Sequence, residues 1–392
     1  MKLSGIRVVD LSSFLPGPHL TMTMADHGAE VIKVEAPGRG DATRSIGPFE
    51  DGESVYFRNT NRGKRSIAVN LKTPAGRDLV LRLAARSHVL LESYRPGVAA
   101  RLGLDYAAVA EAAPQIVYCS ISAFGQDSPE RERPAHDLSV EALAGLLSLG
   151  AGPDRAPGIP PVPGADVAAS LMALSGILMA LLRARETGRG DHLDVAMYDS
   201  LLAWTPHVTG RLFSEGRAPV SAQERLYGGS ALYGVYATAD GGHIALGGSE
   251  LKFAENLLTA LGRPDLLELC KAPPGDAQAP VRAFLAETFA TRSRDDWSAW
   301  FAGRDICFAP VLDLQEAFAS PLTAQREMLL KDAQGRSHIG VPLRFAGEPA
   351  QPDLQAPDLG ADGRAILDEL GYAAAEVDRL QSDGAVDLPK PA

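Results

Sequence analysis

The opening stretch of the chain constrains its fold more than any other. Ile6 to Leu11 (I-R-V-V-D-L) is a short apolar run suited to a buried strand. S-S-F-L-P-G-P-H-L follows, with Pro18 placed for the first turn of a helix expected from about His19 to His27 and stopped by Gly28. A-E-V-I-K-V-E then reads as a second strand. Strand, helix, strand at this spacing is a βαβ unit, which demands a parallel sheet whose ligand edge lies at the strand C-termini. No G-x-G-x-x-G occupies the first turn, so the dinucleotide fingerprint is absent and a nicotinamide-dependent dehydrogenase is disfavoured.

The alternation continues. Thr73-Pro74 reads as an N-cap followed by the first residue of a helix, H-V-L-L-E-S-Y as a strand, and R-P-G-V-A-A-R-L-G-L as a turn into a short helix bearing Arg95 and Arg101. A helix from Leu104 to Ala113 and the strand P-Q-I-V-Y-C-S-I-S complete an α/β pattern. A charged loop, D-S-P-E-R-E-R-P, then delivers the chain to a helix starting near His136 or Asp137.

Gly152 to Pro163 is rich in Pro and Gly, and Asp166 precedes an apolar run from Val167 to Leu182. That run suits a buried helix and is too short to span a bilayer. Asp166 is expected at the N-cap, where a carboxylate accepts the first unpaired helix N–H groups. On residue type alone it is either a cap and nothing more, or a carboxylate held for chemistry.

At 392 residues the chain exceeds one ordinary core, so two domains are expected. Residues 1–210 read as the N-terminal part of a large α/β domain. Residues 227–316, with the hairpin L-Y-G-V-Y-A-T-A-D-G-G-H-I-A-L-G-G, read as a smaller α+β domain, and 330–392 as a segment wrapping back to the large one. A formal charge of -11 argues against nucleic acid and anionic membrane as partners. Three scattered cysteines signal neither a disulfide framework nor a zinc site, and the N-terminus lacks the apolar core of a signal peptide, so a cytoplasmic location is expected. Against this acidic background, Gly38 to Lys72 is an island of positive charge (Arg39, Arg44, Arg58, Arg62, Lys64 and Arg65). It reads either as a solvated loop or as a phosphate-binding surface, since guanidinium groups match phosphate oxygens in fork geometry.

Taken in order, L-S-G-I-R-V-V-D-L-S, D-H-G-A-E-V-I-K-V-E-A-P-G-R-G-D, N-R-G-K-R-S-I-A-V-N-L-K, E-S-Y-R-P-G-V, Y-C-S-I-S-A-F-G-Q, H-D-L, A-D-V and T-G-R-G-D-H-L-D-V-A-M-Y-D resemble the family III CoA-transferases (CaiB/BaiF type) and the related α-methylacyl-CoA racemases. The resemblance covers nearly the whole chain. It implies an α/β fold in which a large doubly wound domain with a parallel sheet comes from both chain ends, a smaller α+β domain comes from the middle, and two ring-like chains interlock as a homodimer. It implies no tightly bound cofactor and no metal. Coenzyme A enters as the thioester substrate, and the partners are an acyl-CoA and a carboxylic acid acceptor.

The same resemblance assigns residues. The catalytic aspartate of the family falls on Asp166, which in the transferases attacks the acyl-CoA thioester. The resulting mixed anhydride and aspartyl thioester split one difficult exchange into smaller covalent steps. In the racemases a histidine of an H-D motif and the aspartate exchange an α-proton on opposite faces, and a glutamate orients the histidine. Those places are held here by His136 and Glu250. Arg95 and Arg101 match residues that contact CoA phosphates, and Lys64 and Arg65 lie in the matching basic motif. Gly228, Gly229, Gly247 and Gly248 are candidates for close backbone approach to an oxyanion. The insert I-G-P-F-E-D-G-E-S-V-Y-F-R-N-T-N and the tail P-D-L-G-A-D-G-R-A-I-L-D-E-L-G-Y resemble transferases, whereas His136 and Glu250 resemble racemases. The longer matches favour CoA transfer, with epimerisation as the alternative and a non-catalytic CoA-binding homologue as a third reading.

Overall fold

The computed structural model describes residues 1–150 and 156–389. The chain divides into two compact units. The first comprises Met1–Ala144, Val162–Leu202 and the segment from Pro321 onward; the second comprises Gly145–Pro161 and Ala203–Ser320. The divisions thus fall near 202 and 320 rather than at 210 and 330, and the described residues 156–161 ahead of Asp166 go with the second unit.

The first unit is built on seven strands: β1 (Arg7–Asp10), β2 (Glu30–Glu35), β3 (Arg65–Val69), β4 (Val89–Glu92), β5 (Val117–Ser122), β6 (Asp191–Ala196) and β7 (Val386–Asp387). Their spatial order is β7-β3-β2-β1-β4-β5-β6. All neighbouring pairs are parallel except β7, which runs antiparallel to β3 with Val386 opposite Val69. The mixed α/β class and a large, mainly parallel sheet therefore stand as expected. From β1 the chain winds outward through β2 and β3, then crosses to the other side of β1 and winds through β4, β5 and β6. The order reverses between β1 and β4, and open α/β sheets form their ligand crevice at such a switch, beyond the strand C-termini.

Strand alternation sends Val9, Ile32, Ile67, Leu90 and Tyr118 to one core. It is closed by Leu79, Val80 and Leu83 of the helix Pro74–Ala84, and by Ile366 and Leu370 near the C-terminal end. Thr73 caps that helix as expected, accepting the N–H of Gly76 at 3.1 Å. On the opposite face Val8, Val31 and Val89 are buried, as are Leu20 and Met24 of α1 (Pro16–Asp26). Helix α1 begins three residues before its expected start, because a first turn tolerates both Pro16 and Pro18, whose missing N–H groups would be unpaired there anyway.

Two further helices place the site: α2 (Asp137–Leu143), whose N-cap is His136, and α3 (Gly164–Thr187). The apolar run read from the sequence underestimates α3, which continues through R-A-R-E-T to 24 residues. By length and composition alone it could cross a membrane, so the expectation that this stretch is too short is corrected. Its small residues Ala165, Ala168, Ala169, Ser170 and Ala173 are nonetheless buried within the unit, while Leu171, Met172, Leu178, Met179 and Leu182 form an exposed apolar stripe on the single chain.

The second unit has its own core of Tyr236, Ile244, Leu257, Leu285, Phe289, Trp297 and Phe301. A three-stranded antiparallel sheet joins Tyr233–Ala237, His243–Gly247 and Phe308–Pro310. The Trp297 indole N–H donates to the Phe289 carbonyl at 2.9 Å, which lets a large amphipathic side chain sit fully buried. A short helix, Gly210–Glu215, lies between Ala203 and this sheet.

Candidate active site

Asp166 is not an N-cap. Helix α3 starts at Gly164 with Pro163 at its N-cap, which places Asp166 in the third helical position. Its expected capping task is performed by two carboxylates of α2. Asp137 Oδ1 accepts the N–H of Ala165 at 2.8 Å and that of Asp166 at 3.1 Å, and Glu141 Oε1 accepts the N–H of Gly164 at 2.8 Å. Asp137 and Glu141 are four residues apart, hence on one face of α2, and together they satisfy the orphan donors that open α3. Gly164 lets Glu141 come this close: a Cβ there would lie 2.7 Å from Glu141 Oε1, so the Glu141 side chain would have to shift. Among the described residues the Asp166 side chain has neither a cap nor an ion pair to hold. Burial, aided by the negative charges of Asp137 and Glu141, pushes its carboxyl up to about 7.

This carboxyl opens onto a cavity of about 230 Å³ at the switch point. Ser13 and Phe14 reach it from the loop after β1, Ser93 to Pro96 from the loop after β4, Ile121 to Ala123 from the end of β5, and Met197 from the end of β6. Arg131, Arg133 and His136 complete the lining. The His136 ring stands edge-on to Phe14 at 5.5 Å between centroids. Tyr56, on the helix Val55–Asn61, belongs to the same surroundings. Burial, with Asp166 and then Asp41 adding negative charge, raises its phenol to about 12. One turn along α3 from Asp166, Ser170 Oγ meets Nδ1 of His19 at 2.9 Å and so links α3 to α1.

The fold brings Asp166, His136 and Arg95 to one cavity. Arg101 lies six residues beyond Arg95 in the last turn of the helix Val98–Leu102, and both arginines are exposed. Among the described residues neither forms an ion pair, so their charge is available to an anion. Glu250 belongs to the second unit, where it is the exposed N-cap of the helix Leu251–Ala260. In that unit Gly248 has a packing reason of its own, since a Cβ there would lie 2.7 Å from the Phe253 ring and 2.8 Å from Cys307.

The positive island is corrected. Lys64 is buried and its ammonium spends all three donors internally: on the Asn61 side-chain oxygen at 2.8 Å, the Pro18 carbonyl at 2.9 Å and Asp10 Oδ2 at 3.1 Å. Burial lowers this amine to about 8 despite the Asp10 charge. Arg65 opens β3, at the edge of the sheet opposite the strand C-termini, and is held by Glu30 and Glu369. Arg44 pairs with Glu35, Arg58 with Glu50 and Glu53, and Arg62 with Asp26. Carboxylates near in sequence for Arg44 and Arg58, and distant for Arg62, Lys64 and Arg65, neutralise much of the island, and Lys64 and Arg65 spend their charge on these internal partners.

A raised carboxyl and an arginine unpaired among the described residues thus share one crevice at the switch point, where open α/β folds take their ligands. The model of the family described as CoA-transferase family III matches residues 3–363, and the chain belongs to that family. It is similar to succinyl-CoA:glutarate CoA-transferase of Mus musculus, at 32% identity over 98% of this chain and 90% of the mouse protein. It is also similar to α-methylacyl-CoA racemase of Homo sapiens, at 34% identity over 100% of this chain and 99% of the human one. Among solved structures, a CaiB/BaiF family protein from Brucella suis superposes with a TM-score of 0.82 at 32% identity, covering 94% of this chain and 99% of that one.

Sequence reasoning misses Asp137 and Glu141 as the capping pair, Tyr56, and Arg131 and Arg133 at the rim. The i, i+4 spacing of two acids just after the His136 position is the signal that could have found the first two.

Proposed function

We propose that this protein transfers CoA between carboxylic acids. The observation that carries the reading is a carboxylate, Asp166, relieved of capping by Asp137 and Glu141 and opening onto a cavity that Arg95 also lines. Asp166 attacks the thioester carbonyl of the donor acyl-CoA; the C–S bond breaks, leaving CoA thiolate and an aspartyl–acyl anhydride. The thiolate attacks the aspartyl carbonyl and expels the donor carboxylate, giving an aspartyl thioester. The acceptor carboxylate attacks that thioester, forming a second anhydride and again freeing thiolate. The thiolate then takes the acceptor acyl group and returns Asp166 as a carboxylate. No proton is consumed in the cycle, and each step is a nucleophilic displacement at an acyl carbon.

Arg95 and Arg101 suit the phosphates of CoA. Arg131 and Arg133 also line the cavity; each is in an exposed ion pair, with Glu132 and Glu130, and such weakly held surface pairs can be exchanged for the second carboxylate of an acceptor. Relatives named for glutarate and for oxalate (the latter from Acetobacter aceti, at 33% identity) support a short dicarboxylic acid. A homodimer accords with the exposed apolar stripe of α3, which is larger than scattered surface residues require.

One observation favours a second reading, epimerisation of a 2-methylacyl-CoA: His136 lines the same cavity as Asp166, whose raised pKa suits proton exchange. Mass spectrometry after incubation with a panel of acyl-CoAs separates the two. Transfer requires a covalent adduct on Asp166 that disappears in Asp166→Asn. Deuterium uptake at the α-carbon without acyl exchange, lost in His136→Ala, would replace it with epimerisation.

A further inference from the structure

Glu92 ends β4, one of the two strands that flank the switch point, and it is only 2% exposed. Other carboxylates buried in this sheet have cations beside them, as Asp10 has Lys64 and Glu35 has Arg44. Among the described residues Glu92 has no ion-pair partner. A sealed carboxylate without a counter-charge is costly, and what compensates it here is hydrogen bonding. Its Oε2 accepts the backbone N–H of Tyr94, two residues on, at 2.7 Å. Ser120, directly across on β5, faces the same carboxyl and favours its charged form, while its Oγ meets Nε2 of His192 at 3.0 Å. Burial, with Asp194 adding negative charge, still raises the Glu92 carboxyl to about 7 against the Tyr94 bond and the Ser120 hydroxyl.

The bond to Tyr94 turns the chain as it leaves β4, and the turned segment is the wall of the cavity: Ser93, Tyr94, Arg95 and Pro96. Ser93 then carries the tie across the crevice, its Oγ accepting the backbone N–H of Ser13 from the loop after β1 at 3.2 Å. We propose that Glu92 is a positioning residue, whose carboxylate clamps the Tyr94 amide and so fixes the 93–96 loop that presents Arg95 to the CoA moiety. The inference rests on the CoA-binding reading of the cavity and adds a residue that never touches the ligand.

The test measures binding of coenzyme A itself by calorimetry, together with steady-state kinetics, in wild type, Glu92→Gln and Glu92→Ala. The glutamine keeps an oxygen for the Tyr94 amide; the alanine removes it. Glu92→Ala is expected to weaken CoA binding and raise KM for the thioester by about tenfold, with kcat and KM for the acceptor acid nearly unchanged, and Glu92→Gln to restore both to within about threefold. Undiminished CoA affinity in Glu92→Ala overturns the proposal. So does equal impairment of the two variants, or a loss shared by both substrates and accompanied by a lowered melting temperature, since that is what a purely structural role produces. Failure of the wild type to bind CoA would instead remove the reading on which the proposal rests.

Discussion

Asp137 Oδ1 accepts the backbone N–H of Asp166 at 3.1 Å, so one carboxylate caps the helix from which the other is displayed. The arrangement sets two like charges beside each other in a poorly hydrated place, and the helix N-terminus only partly offsets their repulsion. The raised proton affinity of Asp166 follows first from its burial and then from this neighbouring charge.

The carboxyl of Asp166 must be ionised to attack or to accept a proton. With its pKa raised to about 7, kcat/KM is expected to rise with pH through that value and level off above it, which a pH–rate profile checks. The stability consequence has the opposite sign. Between the ordinary 3.8 and about 7 the folded chain holds a proton that the unfolded chain releases, so this group's stabilisation is complete below 3.8 and is lost as pH rises to 7. Asp166→Asn is therefore expected to abolish turnover and to stabilise the protein at pH 8 by on the order of 1 kcal/mol, measured by denaturant unfolding.

Asp137→Asn removes the neighbouring charge while keeping an oxygen for the Ala165 and Asp166 amides. The acid limb of the pH–rate profile should move to lower pH with little change in melting temperature. Asp137→Ala should move the limb likewise but also destabilise by about 1–2 kcal/mol, because the opening N–H groups of α3 lose an acceptor.

Replacing Arg95 or Arg101 by alanine should raise KM for the acyl-CoA by about tenfold each and leave kcat largely intact, since a phosphate anchor acts equally before and during reaction. The wild-type KM should climb with salt, and less steeply in the variants. Steady-state kinetics at two ionic strengths checks both.

Lys64→Met removes the cation from a sealed pair and leaves Asp10 with Lys33 as its remaining positive neighbour. Breaking a buried ion pair from one side costs about 3 kcal/mol or more, so this variant should unfold at markedly lower denaturant concentration. The double variant Asp10→Asn, Lys64→Met should recover part of the loss. A phosphate-binding role would instead show as a raised KM at unchanged stability.

Much of this architecture is legible in the sequence because its signals are local. The βαβ opening, the Thr73-Pro74 helix start and the hairpin around Asp240 each depend on residues a few positions apart. Asp166, His136 and Arg95 are reached through motif resemblance, and the fold places them on one cavity. What misleads depends on partners distant in sequence. Lys64 and Arg65 look available for phosphate because nothing near them in the chain announces Asp10, Glu30 or Glu369 as their occupants. Asp166 looks like a cap because the true caps sit on another helix. Glu92 gives no signal, since an acid at the end of a strand looks the same with or without a loop to hold.

The antiparallel pairing of Val386 with Val69 has a consequence for biosynthesis. A ribosome makes residues 1–385 before the strand that pairs with β3 at the edge of the large sheet exists, whereas the contacts of the second unit's core are contained between Ala231 and Phe308. Vectorial synthesis therefore offers the second unit's core everything it requires to fold while the sheet of the first unit still waits for β7. Nascent chains arrested short of Val386 should accordingly display a protease-resistant middle and a labile remainder.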